Sequence, residues 1–110
     1  MKFQKIKTNA QDLAQECKEA TGSSPSLPTW ATHNDGDDVS PDNRTIAIVV
    51  DLSQTKEGAV KIFSKPDDHY EGAVLMTDRG HLVLVPWAEN WTYFCVGTPR
   101  VAQLKAAELE

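Results

Sequence analysis

The densest group of side chains that could bind a cation lies in residues 33–38, with the sequence HNDGDD. Hard cations such as Ca2+ take several oxygen ligands, which a flexible loop of Asp, Asn and Gly can supply. The spacing differs from the calcium-loop pattern, because no glycine and distal glutamate fall at the required offsets. We therefore interpret the segment as a solvated acidic loop and predict no cofactor.

A transition-metal site is a second interpretation of the same region. Imidazole and carboxylate groups are ligands for such metals. His33 could act together with His69 and the aspartates at residues 67–68, provided that two distant loops meet. A small metal-dependent enzyme or metal-binding domain that uses His33, His69 and neighbouring aspartates is therefore an alternative function.

The sequence offers little for nucleophilic catalysis. It contains no Gly-x-Ser-x-Gly, Cys-x-x-Cys or His-Glu-x-x-His motif. Cys95 and His81 fall on neighbouring predicted strands but on opposite faces, and large apolar residues surround Cys95 in the sequence. Such surroundings raise a thiol pKa. We therefore expect Cys95 and Cys17 to be reduced core thiols and the protein to lack catalytic activity.

Length and charge restrict the class of partner. The 110 residues suit a single domain, residues 1–110. Sixteen acidic and eleven basic residues give a net charge of −5, which argues against direct binding of nucleic acid because phosphate contacts need clustered Lys and Arg. No apolar stretch approaches the roughly 20 residues of a membrane span, and the basic start lacks the apolar run of a signal peptide. We expect a cytoplasmic protein.

Apolar spacing predicts a helix near each end of the chain. Leu13 and Cys17 recur on one face of residues 9–21, and Gly22 supplies a C-terminal stop. Near the other end, Pro99 opens a segment whose apolar residues are also spaced as in a helix. The apolar positions of this second helix are Val101, Leu104 and Ala107.

The region between the helices predicts a long loop followed by strands. Residues 22–44 contain three prolines and two glycines, which disfavour a long regular element. Strands are predicted at residues 45–52, 59–64, 73–76, 82–85 and 91–96, with a hairpin turn at residues 77–81. Short connections favour antiparallel neighbours. The predicted fold is α+β, an antiparallel meander of four to five strands with an N-terminal and a C-terminal helix packed on it.

Both faces of the predicted strands are apolar. Within residues 73–96, alternation places Leu84 and Tyr93 on one face, with Val83 and Phe94 on the other. An antiparallel sheet with one solvent-exposed face should carry polar residues on that face. Leaving four or five such side chains in water would cost several kcal/mol at about 25 cal/mol per Å2. Each face therefore needs a cover, which helices or a partner could provide.

These features together favour a non-catalytic protein-binding module, a small regulator or inhibitor that docks on a larger protein with a basic surface. Acidic residues would steer the association and tryptophans would anchor it. The candidate partner-binding residues are Trp30, Asp35, Asp37, Asp38, Asp42, Trp87 and Trp91. In composition the chain resembles small acidic proteins of phages and mobile elements that block host defence. A homo-oligomeric structural protein, such as a homodimer, is the remaining alternative.

Overall fold

The computed structural model of the protein describes residues 3–51, 58–75 and 82–107. Within these residues the chain forms nine strands and one helix. In chain order the elements are β1 (Ile6–Thr8), α1 (Leu13–Thr21), β2 (Thr29–Thr32), β3 (Asp38–Val39), β4 (Thr45–Asp51), β5 (Gly58–Ser64), β6 (His69–Leu75), β7 (Leu82–Pro86), β8 (Trp91–Gly97) and β9 (Arg100–Lys105). The strands form two antiparallel sheets, so the predicted α+β meander with a helix at each end is wrong.

The two sheets and the helix form three layers. The larger sheet has five strands in the order β1-β7-β4-β9-β2, and the smaller sheet has four in the order β3-β8-β5-β6. One apolar cluster lies between the sheets, and a second lies between the five-stranded sheet and α1. The five-stranded sheet is therefore covered on both faces, as the two-sided apolar pattern of its strands requires.

Strand β4 shows how the sequence leads to this arrangement. Its run of β-branched residues favours extended backbone, and it lies between β7 and β9 at the centre of the larger sheet. Val49 packs in the cluster beneath α1, whereas Ile48 and Val50 pack between the sheets. A strand that is buried on both faces needs apolar residues at successive positions, which residues 46–50 supply.

Helix α1 is the element near the N terminus that the sequence indicated, although it is shorter than predicted. It begins at Leu13 because Asn9 Oδ1 accepts hydrogen bonds from the backbone N–H groups of Gln11 and Asp12, which holds the preceding residues in a turn. It ends at Gly22, whose φ of 79° is left-handed and whose N–H donates to the Lys18 carbonyl. Leu13 and Cys17 bury its apolar face.

The predicted C-terminal helix is a strand, β9. This strand lies between β4 and β2 in the five-stranded sheet, and the smaller sheet and α1 cover its two faces. Val101 faces the other sheet, while Ala102 and Leu104 face the helix layer. A strand that is buried on both faces can carry apolar residues three positions apart, which is also the spacing of an amphipathic helix. Local periodicity therefore cannot distinguish the strand from the helix.

The predicted order of the strands is also wrong. Strand β6 pairs with β5 in the smaller sheet, but β7 pairs with β4 and β1 in the larger one, and β8 returns to the smaller sheet. The chain thus crosses between sheets twice within residues 69–97. The hairpin turn predicted at residues 77–81 lies outside the described residues.

The segment predicted as a long loop carries two short edge strands. Strand β2 pairs with β9, and β3 pairs with β8. Backbone hydrogen bonds fix the residues between them, since the Gly36 N–H donates to the Cys95 carbonyl and the Cys95 N–H donates to the Asp37 carbonyl. Composition rich in Pro, Ser and Asp disfavours long elements, but it does not exclude short strands at a sheet edge.

Candidate interaction surface

The four-stranded sheet has one face that points away from the rest of the molecule, which we call the outer face. Val60, Ile62 and Tyr93 point the opposite way, into the core between the sheets. Strand alternation and the register then place the intervening residues on the outer face. These residues are Ala59, Lys61, Phe63, Tyr70, Ala73, Leu75, Phe94 and Val96.

No helix or strand among residues 3–51, 58–75 and 82–107 covers the outer face. Helix α1 packs on the far side of the five-stranded sheet, and every strand belongs to one of the two sheets. Leu75 is 57% exposed and Tyr70 is 53% exposed, while Phe63, Phe94 and Val96 are half-buried. An apolar patch of this kind on a protein surface typically marks an interaction site.

A hollow of about 180 Å3 indents the outer face. Phe63 on β5 and Phe94 on β8 form its apolar part, because Phe63 pairs with Thr92 and so stands diagonally across from Phe94. Charged and polar residues complete the lining, namely Asp38, Lys65, Asp68 and Thr92. The hollow thus combines two aromatic rings with carboxylates from two separate elements.

The carboxylate of Asp38 is held on one side of this hollow. Asp38 pairs with Phe94 across β3 and β8. Its Oδ1 accepts a hydrogen bond of 3.0 Å from the Thr92 hydroxyl, which also lies 2.7 Å from the Val39 carbonyl. Thr92 is itself buried. The position of Asp38 at the edge of the sheet is therefore set by a buried polar neighbour.

Lys65 and Asp68 lie on the opposite side of the hollow, in the turn between β5 and β6. Their side chains form an ion pair. The hydrogen bond with Asp68 raises the pKa of Lys65, and the negative charges of Asp68 and Asp38 raise it further. Both carboxylates thus favour a positive charge at this point of the surface.

The predicted acidic residues separate into two groups. Asp35, Asp37 and Asp38 lie alongside β8. Asp35 Oδ1 accepts a hydrogen bond of 2.8 Å from the Gly97 N–H, and the Asp37 carbonyl accepts one from the Cys95 N–H. Asp42 lies elsewhere and pairs with Lys105 at 2.9 Å. The hydrogen bond from Lys105 lowers the pKa of Asp42, and the Arg44 N–H adds to the effect.

The predicted tryptophan anchors are not on the outer face. Trp87 and Trp91 are each 5% exposed and pack in the core between the sheets, with ring centroids 5.5 Å apart in a T-shaped arrangement. Trp30 is half-buried beside the helix layer, and the Arg100 guanidinium lies 4.6 Å from its ring centroid. Burial removes Trp87 and Trp91 from the surface that a partner could reach.

His33 connects the acidic segment to the core. Its Nε2 lies 3.0 Å from the hydroxyl of Tyr93, which is fully buried, and its Nδ1 lies 3.6 Å from Asp37 Oδ2. Burial raises the pKa of Tyr93. A groove of about 340 Å3 opens beside these side chains, between β2, β9 and Tyr93. Because Tyr93 is fully buried, we assign a structural role to its contact with His33.

His33 and His69 do not come together. His69 lies on the edge strand β6, opposite Ser64, whereas His33 bonds to Tyr93 from the β3 side of the same sheet. Within the described ranges, no three His, Cys, Asp or Glu side chains are close enough to bind one metal ion. The structure therefore does not bring together the two histidines on which the alternative metal site depends.

The prediction that both cysteines are buried thiols is confirmed. Cys17 lies beneath α1 and Cys95 lies between the sheets, so the five-stranded sheet separates them. Burial raises the pKa of Cys17. Burial, with a smaller contribution from Asp37 and Asp38, raises the pKa of Cys95 from 9.0 to about 11. Neither thiol is therefore activated as a nucleophile at neutral pH.

The residues of the outer face were only partly recognisable from the sequence. The two-sided pattern of residues 73–96 included Phe94, but it gave no reason to single this residue out. Phe63 and Tyr70 were missed, although Phe63 stands two residues after Lys61 and therefore on the same face of β5. The available signal was an aromatic residue at a position where alternation calls for a polar one.

Comparison with protein-family models, with curated proteins and with solved structures finds no match. With nine residues, the helix of the described part of the chain is shorter than a membrane span.

Proposed function

We propose that this protein is a protein-binding module that docks through the outer face of its four-stranded sheet onto a larger protein with a basic surface, acting as a regulator or inhibitor of that protein. The observation that carries the proposal is the apolar outer face, which no helix or strand of the described residues covers. Folding leaves Leu75 and Tyr70 more than half exposed on a sheet whose other face is fully packed. Docking would bury these side chains and so gain hydrophobic free energy.

The composition of the outer face supports a protein partner. Phe63 and Tyr70 stack edge to face with ring centroids 5.5 Å apart, which holds both rings in place before any partner arrives. Aromatic side chains that are already ordered lose little conformational entropy on binding, and tyrosine is enriched among residues that dominate binding energy. We expect Tyr70 and Leu75 to be the principal anchors.

The charges beside the outer face support a partner with a basic surface. Asp35, Asp37 and Asp38 run along the β3 side of the sheet. Carboxylates beside an apolar patch attract a cationic surface over a distance of about a Debye length, roughly 8 to 10 Å at physiological salt. They would orient the partner before the apolar side chains make contact.

Affinity capture with surface variants tests this proposal. Protein retained from lysate of the native host should be compared for the wild type, Leu75→Asp and Leu27→Asp. Leu27 is 91% exposed and lines the groove beside β2 and β9, so it provides a matched leucine outside the outer face. We expect a partner that wild type and Leu27→Asp retain and Leu75→Asp loses, with thermal denaturation showing that all three fold.

Equal retention by Leu75→Asp and Leu27→Asp would contradict the proposal, as would the absence of any retained protein. Light scattering on the same variants distinguishes the remaining alternative. Should the wild type associate with itself and Leu75→Asp be monomeric, the outer face would be an interface between copies of this chain and the proposed larger partner would be excluded.

A further inference from the structure

We infer that the hollow between Phe63 and Phe94 binds an arginine side chain presented by the partner protein. This inference rests on the proposed function and names the chemistry of one contact within it. It rests on three properties of the hollow. The hollow has aromatic walls, it has carboxylates on both sides, and it holds a cation of this chain that an arginine could replace.

The aromatic walls suit a planar cation. Phe63 and Phe94 occupy diagonal positions on adjacent strands, and diagonal positions are roughly 7 to 8 Å apart. A guanidinium group stacks on aromatic rings through its flat face, where the ring quadrupole attracts positive charge. An aliphatic side chain would fill the same space, but it would bring no further hydrogen-bond donor to Asp38 and Asp68.

The carboxylates are arranged on two sides of the hollow. Asp38 stands on the β3 side and Asp68 on the side of the β5–β6 turn, and both line the hollow. The guanidinium group has five N–H donors in a fixed plane and can therefore bond to carboxylates on both of its edges. A lysine ammonium is a compact charge and does not span two separate acceptors in this way.

The chain's own Lys65 shows that the hollow attracts a cation. Its ammonium bonds to Asp68 beside the hollow, and its side chain is 44% exposed. An exposed lysine pair of this kind contributes little to stability, so Lys65 can rotate into solvent at small cost. We conclude that Lys65 and the partner's arginine would compete for Asp68.

A short peptide tests the contact directly. The probe is N-acetyl-Leu-Arg-Leu-amide, added to protein whose aromatic rings are labelled with 13C, and the control is the same peptide with neutral citrulline in place of arginine. We expect the arginine peptide to shift the resonances of Phe63 and Phe94 and to bind about tenfold more tightly than the citrulline peptide, which corresponds to about 1.4 kcal/mol.

Three variants then examine the charges. Asp38→Asn should weaken binding of the arginine peptide severalfold, because the neutral amide keeps an acceptor for Thr92 but loses the attraction for a cation. Asp42→Asn changes the net charge equally and lies elsewhere, paired with Lys105, so it should leave the affinity unchanged. Lys65→Met should strengthen binding severalfold by removing the competing ammonium.

Equal affinities for the arginine and citrulline peptides would overturn the inference, and so would the absence of shifts at Phe63 and Phe94 at about 10 mM peptide, a concentration that reveals millimolar affinity. A lysine peptide that binds as tightly as the arginine peptide would also contradict it. These failures are distinguishable from failure of the proposed function. If capture of a partner still depends on Leu75, docking through the outer face stands and the hollow is not its anchor.

Discussion

Buried polar groups determine how the acidic segment is attached to the sheets. Tyr93 is fully buried, and its hydroxyl lies 3.0 Å from His33 Nε2. His33 in turn faces Asp37, whose Oδ2 accepts a hydrogen bond of 2.8 Å from the Asn34 N–H. These contacts fix the segment because the Tyr93 hydroxyl and His33 satisfy each other away from bulk water.

Removing the hydroxyl of Tyr93 should therefore lower the stability of the fold. We expect Tyr93→Phe to reduce the free energy of unfolding by about 1 to 2 kcal/mol, because His33 Nε2 loses its partner in a half-buried position. Urea denaturation measures this change. Tyr70→Phe removes the same atom from an exposed tyrosine and should change the stability by less than about 0.5 kcal/mol. Equal effects of the two substitutions would exclude the structural role of the His33 contact.

The raised pKa of Cys95 predicts a loss of stability in alkaline solution. In the folded protein the pKa of the Cys95 thiol is about 11, whereas the ordinary pKa of a cysteine thiol is 9.0. Stability from this group is thus fully present below pH 9 and is lost as the pH rises toward 11, because the unfolded state releases the proton first. We expect Cys95→Ala to show a shallower decline of the free energy of unfolding across this interval, although its stability at pH 7 is lower. Parallel declines for the two proteins would contradict the prediction.

At the level of elements, the segment before β1 connects the edge strand β6 to the core. Phe3 packs with Trp91 in the cluster between the sheets, with ring centroids 6.3 Å apart. The Phe3 ring also lies directly against Gly72 of β6, so closely that any Cβ atom at this position would overlap the ring. Glycine is favoured there by the close approach of a side chain rather than by backbone conformation.

A double-mutant cycle can test this contact between elements. Gly72→Ala should lower the free energy of unfolding by about 1 to 3 kcal/mol, since the added methyl group forces Phe3 out of its position. In a Phe3→Ala background the same substitution should cost much less, because the overlapping ring is absent. The coupling energy from urea denaturation measures the difference. Additive effects would show that Phe3 does not pack on Gly72 in solution.

For the molecule as a whole, the distribution of carboxylates should govern how fast a partner associates. Once the partner has been identified by capture, simultaneous neutralisation of Asp35, Asp37 and Asp38 to asparagine should lower the association rate about tenfold at low salt and have little effect at high salt. Stopped-flow or surface-based kinetics provide the measurement. Asp42→Asn is the control, since Lys105 already neutralises that carboxylate. An association rate that is independent of these residues and of salt would remove the electrostatic part of the proposal.

The candidate site was only partly accessible to prediction because it is assembled from distant parts of the chain. Asp38 comes from β3, Phe63 from β5 and Phe94 from β8, while the ion pair of residues 65 and 68 comes from a turn. Hydrogen bonds between strands bring these residues together, and such pairing leaves no local periodicity in the sequence. Asp38 alone was selected in advance, on the basis of its charge.

The amino-acid sequence by itself determined that β4, β5, β7 and β8 are extended, where the N-terminal helix ends, that both cysteines are buried and that strands such as β7 need a cover on each face. Alternation and helix-stop signals act over a few residues, so they can be recognised locally. Only the tertiary structure decided that β7 and β8 belong to different sheets, that residues 100–105 form a central strand and that Trp87 and Trp91 lie inside. An apolar pattern reports how many faces of an element are buried, but the identity of the neighbour depends on contacts between residues far apart in the chain.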